Sequence, residues 1–233
     1  MVKNGAMTSS DSRTRILDAA VELIARDGYD GVRLAEIARH ARSSTALIHY
    51  HFATRTQLLA AAITHSLDRE HTRVADLADD VGRTSPPERV ADLVDFWLPL
   101  TADDVREWML WSELEGRAVR STDLATALTG LYARMRAPFA AAVRDGVATG
   151  VFGSCDPEEA ATAAHALLGG LAVRLLARDP GLTVPAAREL AGRHVALAIG
   201  YADRLPFADR EVPEYVPDAG IEPAPPRRRA TRA

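Results

Sequence analysis

Apolar residues recur along this chain at three- and four-residue spacing, and no stretch alternates long enough to argue for a sheet. The first such segment begins at Asp11 or Ser12, either of which can cap a helix. It carries Ile16, Leu17, Ala20, Leu23 and Ile24 inward and stops at Gly28. Leu34, Ile37, Ala38 and Ala41 set a second, short helix with Arg39 and His40 left outside. Residues 42–44 break the pattern. Ser44 caps a third helix in which Ile48 and Phe52 face inward, while Thr45, Ala46, His49 and Tyr50 gather on the opposite face. A fourth helix runs from about Thr54 towards Val81, long enough to connect two domains, and residues 82–87 interrupt it. Further helices are expected over 88–100, 103–120, 124–149, 156–178 and 184–205. Pro138 should kink or divide the helix that contains it, and Asp156 with Pro157 opens the next one. The fold class read from this pattern is all-α.

Residues 34–59 form the stretch around which the rest is organised. Ser44, Thr45 and Ala46 make a slim N-terminal end, and His49, Tyr50 and His51 add hydrogen-bonding rings beyond it. Such a helix can enter a major groove about 12 Å wide and reach base edges. Periodicity alone is served equally well by an ordinary three-helix packing unit with incidental surface rings. Arg33, just ahead of the second helix, reads either as a phosphate contact at a helix N-terminus or as a solvated surface arginine. Arg55, at the start of the fourth helix, is the better phosphate candidate.

The run 13–59, RTRILDAAVELIARDGYDGVRLAEIARHARSSTALIHYHFATRTQLL, resembles the DNA-binding domain of the tetracycline-repressor (TetR) family. ILDAAVELIARDGY matches its first helix, LAEIARHA its second, ALIHYHF its recognition helix, and Arg55 with Leu58–Leu59 the start of a fourth. Three positions depart from the family pattern: Arg42 stands where the turn usually has Gly, Ser43 where a small apolar residue is common, and Arg33 where Thr or Ser often caps. A positive φ at Arg42 would cost on the order of 1 kcal/mol relative to Gly. The resemblance implies an N-terminal three-helix helix-turn-helix domain that binds a double-stranded DNA operator. It also implies a C-terminal helical body that holds a small-molecule effector and pairs into a homodimer.

Charge and composition fit that division. The net charge is −4, yet residues 1–60 carry 8 Lys/Arg against 6 Asp/Glu, while 61–205 carry 15 against 21. A weakly basic end on an acidic body suits a protein that presents only its first domain to phosphates. Cys155 is the sole cysteine, which rules out a disulfide within the chain and a site built on several thiolates. No apolar run approaches membrane-spanning length and the N-terminus lacks the apolar core of a signal peptide, so a cytoplasmic protein is expected. Enzyme motifs are missing: there is no Gly-rich phosphate loop, no G-x-S-x-G and no H-E-x-x-H. His49 and His51, two apart, point to different faces of a helix, and neither a metal nor a cofactor is expected.

The domains expected are a disordered 1–10, a DNA-binding domain over 11–71, an effector-binding and dimerisation domain over 72–205, and a disordered Pro/Arg-rich tail over 206–233. In the middle region Phe96, Trp97, Trp108, Trp111, Tyr132 and Phe139 fall on three successive helices with Met109 and Met135. Large rings and thioethers line adaptable cavities, and they fill cores equally well. Trp97, Trp108, Trp111 and Tyr132 are taken as ligand-binding candidates, with Glu113 and His165 as polar groups that could orient the ligand and Arg134 as another near the apolar faces. The last two helices are dense in Ala and Gly, which lets helix axes approach closely. Packing within one chain would satisfy some of this, but two helices with apolar residues on more than one face need a further partner. Ala164, Leu168, Gly170, Leu171, Ala196 and Gly200 are therefore placed in a seam that would form a four-helix bundle across a two-fold, as the resemblance also implies. The reading that results is a homodimeric, ligand-responsive regulator, most simply a repressor. A DNA-binding regulator without a small-molecule inducer and an all-helical enzyme remain as rivals.

Overall fold

A computed structural model describes residues 9–78, 85–207 and 212–218. Every regular element among them is a helix. The chain divides into two compact units at Ser66 and Leu67, within a single helix; the sequence reading puts the boundary at residue 71.

In the first unit α1 (Ser9–Gly31) buries Ile16, Leu17, Ala20, Leu23 and Ile24. Gly28 breaks it with φ 71° and ψ 160°, and helical turns resume for three residues beyond. α2 (Leu34–His40) and α3 (Thr45–His51) pack on α1 and on each other. The turn between them is closed by two backbone bonds: Arg42 N–H donates to Arg39 O at 3.2 Å and Ser43 N–H to Ala38 O at 2.8 Å. That geometry requires a left-handed residue, and Arg42 takes it with φ 49°. Ser44 Oγ accepts from Leu47 N–H at 3.1 Å and so starts α3. α4 (Arg55–Ala78) follows, and Thr54 Oγ1 accepts from Gln57 N–H at its start. The expected end of this helix near Val81 lies outside the described residues.

The second unit is built on α5 (Pro86–Phe96), α6 (Ala102–Ala118), α7 (Thr122–Ala148), α8 (Pro157–Leu176) and α9 (Val184–Ala198). α7 is the central element, packed against α5, α6 and α8, while α9 lies on α8 and α5. Pro138 does not divide α7, which is a single helix across it. One lost backbone bond is outweighed there by burial of Met135, Phe139, Ala140 and Val143 on both sides of the proline. Asp156 Oδ1 accepts from the N–H groups of Glu158 and Glu159, which caps α8 as its sequence implies.

The C-terminal end departs from expectation. α9 stops at Ala198 because Gly200 turns left-handed, φ 64°, and its carbonyl accepts from Gly153 N–H at 3.2 Å. A Cβ on Gly200 would lie 2.8 Å from the Gly153 Cα, so the close approach needs glycine. The chain then folds back: Leu205 is buried, the Phe207 ring lies 4.3 Å beneath the Arg188 guanidinium, and Glu214 O accepts from Val184 N–H at 3.0 Å. Of the segment expected to be disordered from 206 onward, Phe207 and Glu214 thus contact α9 and its start. The basic run at residues 227–229 lies outside the described residues, as do residues 1–8.

Candidate functional site

Two separate arrangements carry chemistry, one in each unit. In the first, α3 turns Ile48 into the core and presents Thr45, Ala46, His49 and Tyr50 to solvent, with Tyr50 77% exposed. Ser44 and Arg33 are exposed as well, at the starts of α3 and α2. The exposed face is thus the one the sequence pattern picks out.

Two residues grouped with that face point elsewhere. His51 is half-buried and shares a 3.1 Å hydrogen bond with the Ser12 hydroxyl, so it braces α3 on α1. Arg55 turns inward: its guanidinium donates to Tyr29 O at 2.5 Å and Val32 O at 3.1 Å and sits 5.4 Å over the Tyr29 ring. It clamps the loop that leads into α2, which is not the free phosphate contact expected of it. Arg42, noted in the sequence only as a departure, is an exposed cation in the turn itself.

In the second unit a cavity of about 510 Å³ opens between four helices. α5 contributes Phe96 and its C-cap Trp97, α6 Asp104, Glu107, Trp108, Trp111 and Glu115, and α7 Tyr132 and Met135. α8 contributes His165 and, past Ala166, the small positions Gly169 and Gly170. The rings touch in series. Trp111 stacks on Tyr132 at 5.9 Å and 4°, Tyr132 and Trp97 each meet the His165 ring edge-on at 5.2 and 5.1 Å, and Trp97 stacks on Phe139 at 5.7 Å. The Trp97 indole N–H is buried without a partner.

The start of α6 is fixed by a reciprocal cap, with Thr101 N–H donating to Asp104 Oδ2 and Asp104 N–H to Thr101 Oγ1. At its far end Glu115 Oε1 accepts from the Tyr132 hydroxyl at 2.6 Å. Burial, and then that bond, hold the Tyr132 phenol protonated well above its ordinary range. Burial, reinforced by the charge of Arg136, pushes the His165 imidazole down to about 4, so it is neutral at physiological pH.

The cavity gathers Trp97, Trp108, Trp111, Tyr132 and His165 as expected, but not Glu113, which pairs with Arg117 at 3.4 Å. At about 100° per residue, position 113 leaves the face shared by 104, 107, 108, 111 and 115. Counting four residues from Trp111 in either direction would have found Glu107 and Glu115. Arg134 is exposed and bridges to Asp68 at 2.7 Å.

The expected seam residues are also redistributed. Ala164, Leu168, Leu171 and Ala196 are buried within the chain itself, Gly200 makes the turn against Gly153, and Gly170 opens the cavity wall. The outward face of α8 and α9 is formed instead by Ala163, His194, Leu197 and Ala198, with Leu197 72% exposed and a shallow groove of about 90 Å³ between the helices.

An exposed helix-turn-helix face, carried by a chain whose second unit is a helical body, is the arrangement of a DNA-binding regulator. Family comparison agrees on both parts. Residues 16–62 match the bacterial regulatory proteins of the tetR family, and residues 86–200 match the C-terminal domain of BetI-type transcriptional repressors. The chain belongs to the TetR family, and it is a transcriptional regulator rather than an enzyme. It is 29% identical over 192 residues to the transcriptional regulator BetI of Rhizobium meliloti, covering 78% of this chain and 87% of that one. It is 33% identical over 102 residues to the nicotine-responsive repressor HdnoR of Paenarthrobacter nicotinovorans, a match that spans 42% of this chain and 50% of that protein. Among solved structures, a transcriptional regulator from Saccharomonospora viridis in complex with choline superposes with a TM-score of 0.72 at 30% identity, over 80% of this chain and 96% of that one. No described helix is long and apolar enough to cross a membrane.

Proposed function

We propose that this protein is a homodimeric repressor that releases its operator when a small organic cation enters the cavity between α5, α6, α7 and α8. The observation that carries the reading is the cavity's chemistry. Indole and phenol faces surround it, Asp104, Glu107 and Glu115 supply carboxylates, and no Lys or Arg stands among the described lining residues. A ring face attracts a cation through its quadrupole, and a quaternary ammonium, which offers no hydrogen bond, is recognised mainly in that way. Neutral His165 adds bulk without opposing charge. The choline held by the Saccharomonospora viridis protein supports the same ligand class.

On the DNA side, Thr45, Ala46, His49 and Tyr50 read base edges while Arg33 and Arg42 meet phosphates. Two subunits pair through the outward face of α8 and α9. Ligand control follows from linkage: a cation that binds better to one spacing of the two recognition helices shifts the dimer towards it. Calorimetric titration with choline and with its uncharged carbon isostere, 3,3-dimethylbutanol, tests the charge requirement. Choline is expected to bind at least about tenfold tighter, in line with the cation–π and carboxylate contributions. Equal affinity would remove the cation from the reading.

A further inference from the structure

The inward turn of Arg55 leaves the far end of α3 without the cation expected beside it, and α1 supplies another. Resting on the reading of Arg33 and Arg42 as phosphate contacts, we propose that Arg13 is a further DNA-backbone contact, gripping the phosphate strand beside the C-terminal end of α3. Two contacts bring the first turns of α1 to that end. The Ser12 hydroxyl and the His51 ring share a hydrogen bond of 3.1 Å. The Arg13 guanidinium lies 5.4 Å from the centre of the ring of Phe52, which is the C-cap of α3.

Arg13 has the properties such a contact needs. It is exposed, and no carboxylate among the described residues pairs with it. The ring of Phe52 steadies the guanidinium without consuming its N–H donors, which stay available for phosphate oxygens. Arg26 and Arg39 of the same unit are paired instead, with Asp27 at 2.6 Å and Glu36 at 3.9 Å. Position completes the argument. The seven residues of α3, Thr45–His51, span about 10 Å at 1.5 Å per residue. Arg42 stands in the turn before that helix and Arg13 against the residue that ends it, so a guanidinium flanks each end. A helix of this length seated in a groove about 12 Å wide has both ends within an arginine's reach of a phosphate strand. Arg13 thus does from α1 what Arg55 was expected to do from α4.

The test follows binding of the full-length protein to a random-sequence DNA duplex by fluorescence anisotropy, from about 50 to about 200 mM salt, where backbone contacts dominate. Arg13→Gln removes the charge, Arg13→Lys keeps it, and Arg26→Gln removes the same charge from a paired position on the same helix. Arg13→Gln is expected to bind about three- to tenfold more weakly and to lower the slope of log affinity against log salt by about one per subunit. Arg13→Lys and Arg26→Gln should keep the wild-type slope, and thermal melts should show all three variants folded. A role confined to bracing Phe52 would lower the melting temperature of Arg13→Gln and leave its slope unchanged, which would overturn the proposal. An equal loss of slope in Arg26→Gln would overturn it too, by assigning the effect to net charge. If Arg42→Ala lowers the slope and Arg13→Gln does not, the contact at Arg13 fails alone. If neither does, the phosphate reading fails and this proposal with it.

Discussion

The Tyr132 hydroxyl donates a 2.6 Å hydrogen bond to Oε1 of Glu115, so a ring from α7 and a carboxylate from α6 hold each other in place at one end of the cavity. Tyr132→Phe keeps the ring and its stack on Trp111 but frees the carboxylate to wander. Ligand affinity is expected to fall about three- to tenfold, and unfolding free energy by about 1 kcal/mol, the usual net worth of one such bond. Calorimetry and urea unfolding on the same preparation measure both. Undiminished affinity would mean that the orientation of Glu115 is irrelevant to binding.

His165 makes stability depend on pH. Its folded value of about 4 lies below the ordinary imidazole value, chiefly through burial. The unfolded chain therefore binds the proton first, and stability contributed by the neutral ring is present above about 6.5 and lost as pH falls towards 4. His165→Gln should flatten the decline in urea midpoint between pH 7 and pH 5. An identical slope in the variant would assign the acid sensitivity to other groups.

The reading face and its brace should separate experimentally. Tyr50→Ala or His49→Ala is expected to weaken operator binding by about 1–3 kcal/mol and to leave binding to random DNA nearly intact. Arg33→Ala and Arg42→Ala should weaken both and reduce the salt slope by about one each. Arg55→Ala should behave differently, lowering the stability of the N-terminal unit by about 1.5–3 kcal/mol as its charge-assisted bonds to Tyr29 O and Val32 O are lost. Operator and random-DNA titrations across salt, with thermal melts of each variant, distinguish the three groups.

Gly170 and Leu197 should part company in the same way. Leu197→Arg places charge on the outward face of α9 and is expected to yield a folded monomer that has lost operator affinity. Gly170→Leu fills the cavity wall and should leave the dimer intact while ligand affinity drops by about tenfold or more. Sedimentation and ligand titration of both variants decide it. Dissociation by Gly170→Leu would put the seam where the sequence pattern first suggested.

Asp95 is 1% exposed and receives two 2.7 Å bonds from the Arg188 guanidinium, which joins α5 to α9 next to Trp97. Removing the cation alone by Arg188→Ala leaves a buried carboxylate without its bidentate partner and should cost about 3–5 kcal/mol. The double variant with Asp95→Ala should recover part of that loss, and denaturant unfolding of both gives the coupling directly. A single-variant loss under about 1 kcal/mol would show that the pair contributes little.

What the sequence determined by itself is local. The three- and four-residue spacing of Leu34, Ile37, Ala38, Ile48 and Phe52 sets which face of each helix is buried. The Ser44 hydroxyl and the Asp156 carboxylate mark where helices start, because a cap acts within three residues of itself. The exposed placement of Thr45, Ala46, His49 and Tyr50 follows from the same periodicity. Tertiary structure decided what each face meets and where long side chains turn. Arg55 and His51 look outward in a list of residues, yet carbonyls at 29 and 32 and the hydroxyl of Ser12 draw them in from 23 to 39 positions away. Three other helices turn the Trp111 side of α6 inward, and once that side is fixed the helix period alone brings Glu115 with it and carries Glu113 away. Gly170 and Gly200 read alike as small residues, but one opens a cavity and the other permits a backbone crossing with Gly153. Phe207 packs because Arg188 and Gly192 offer it a surface that exists only once α9 has folded. Periodicity measures angles about one helix axis, and contacts between axes are set by packing that no single segment contains.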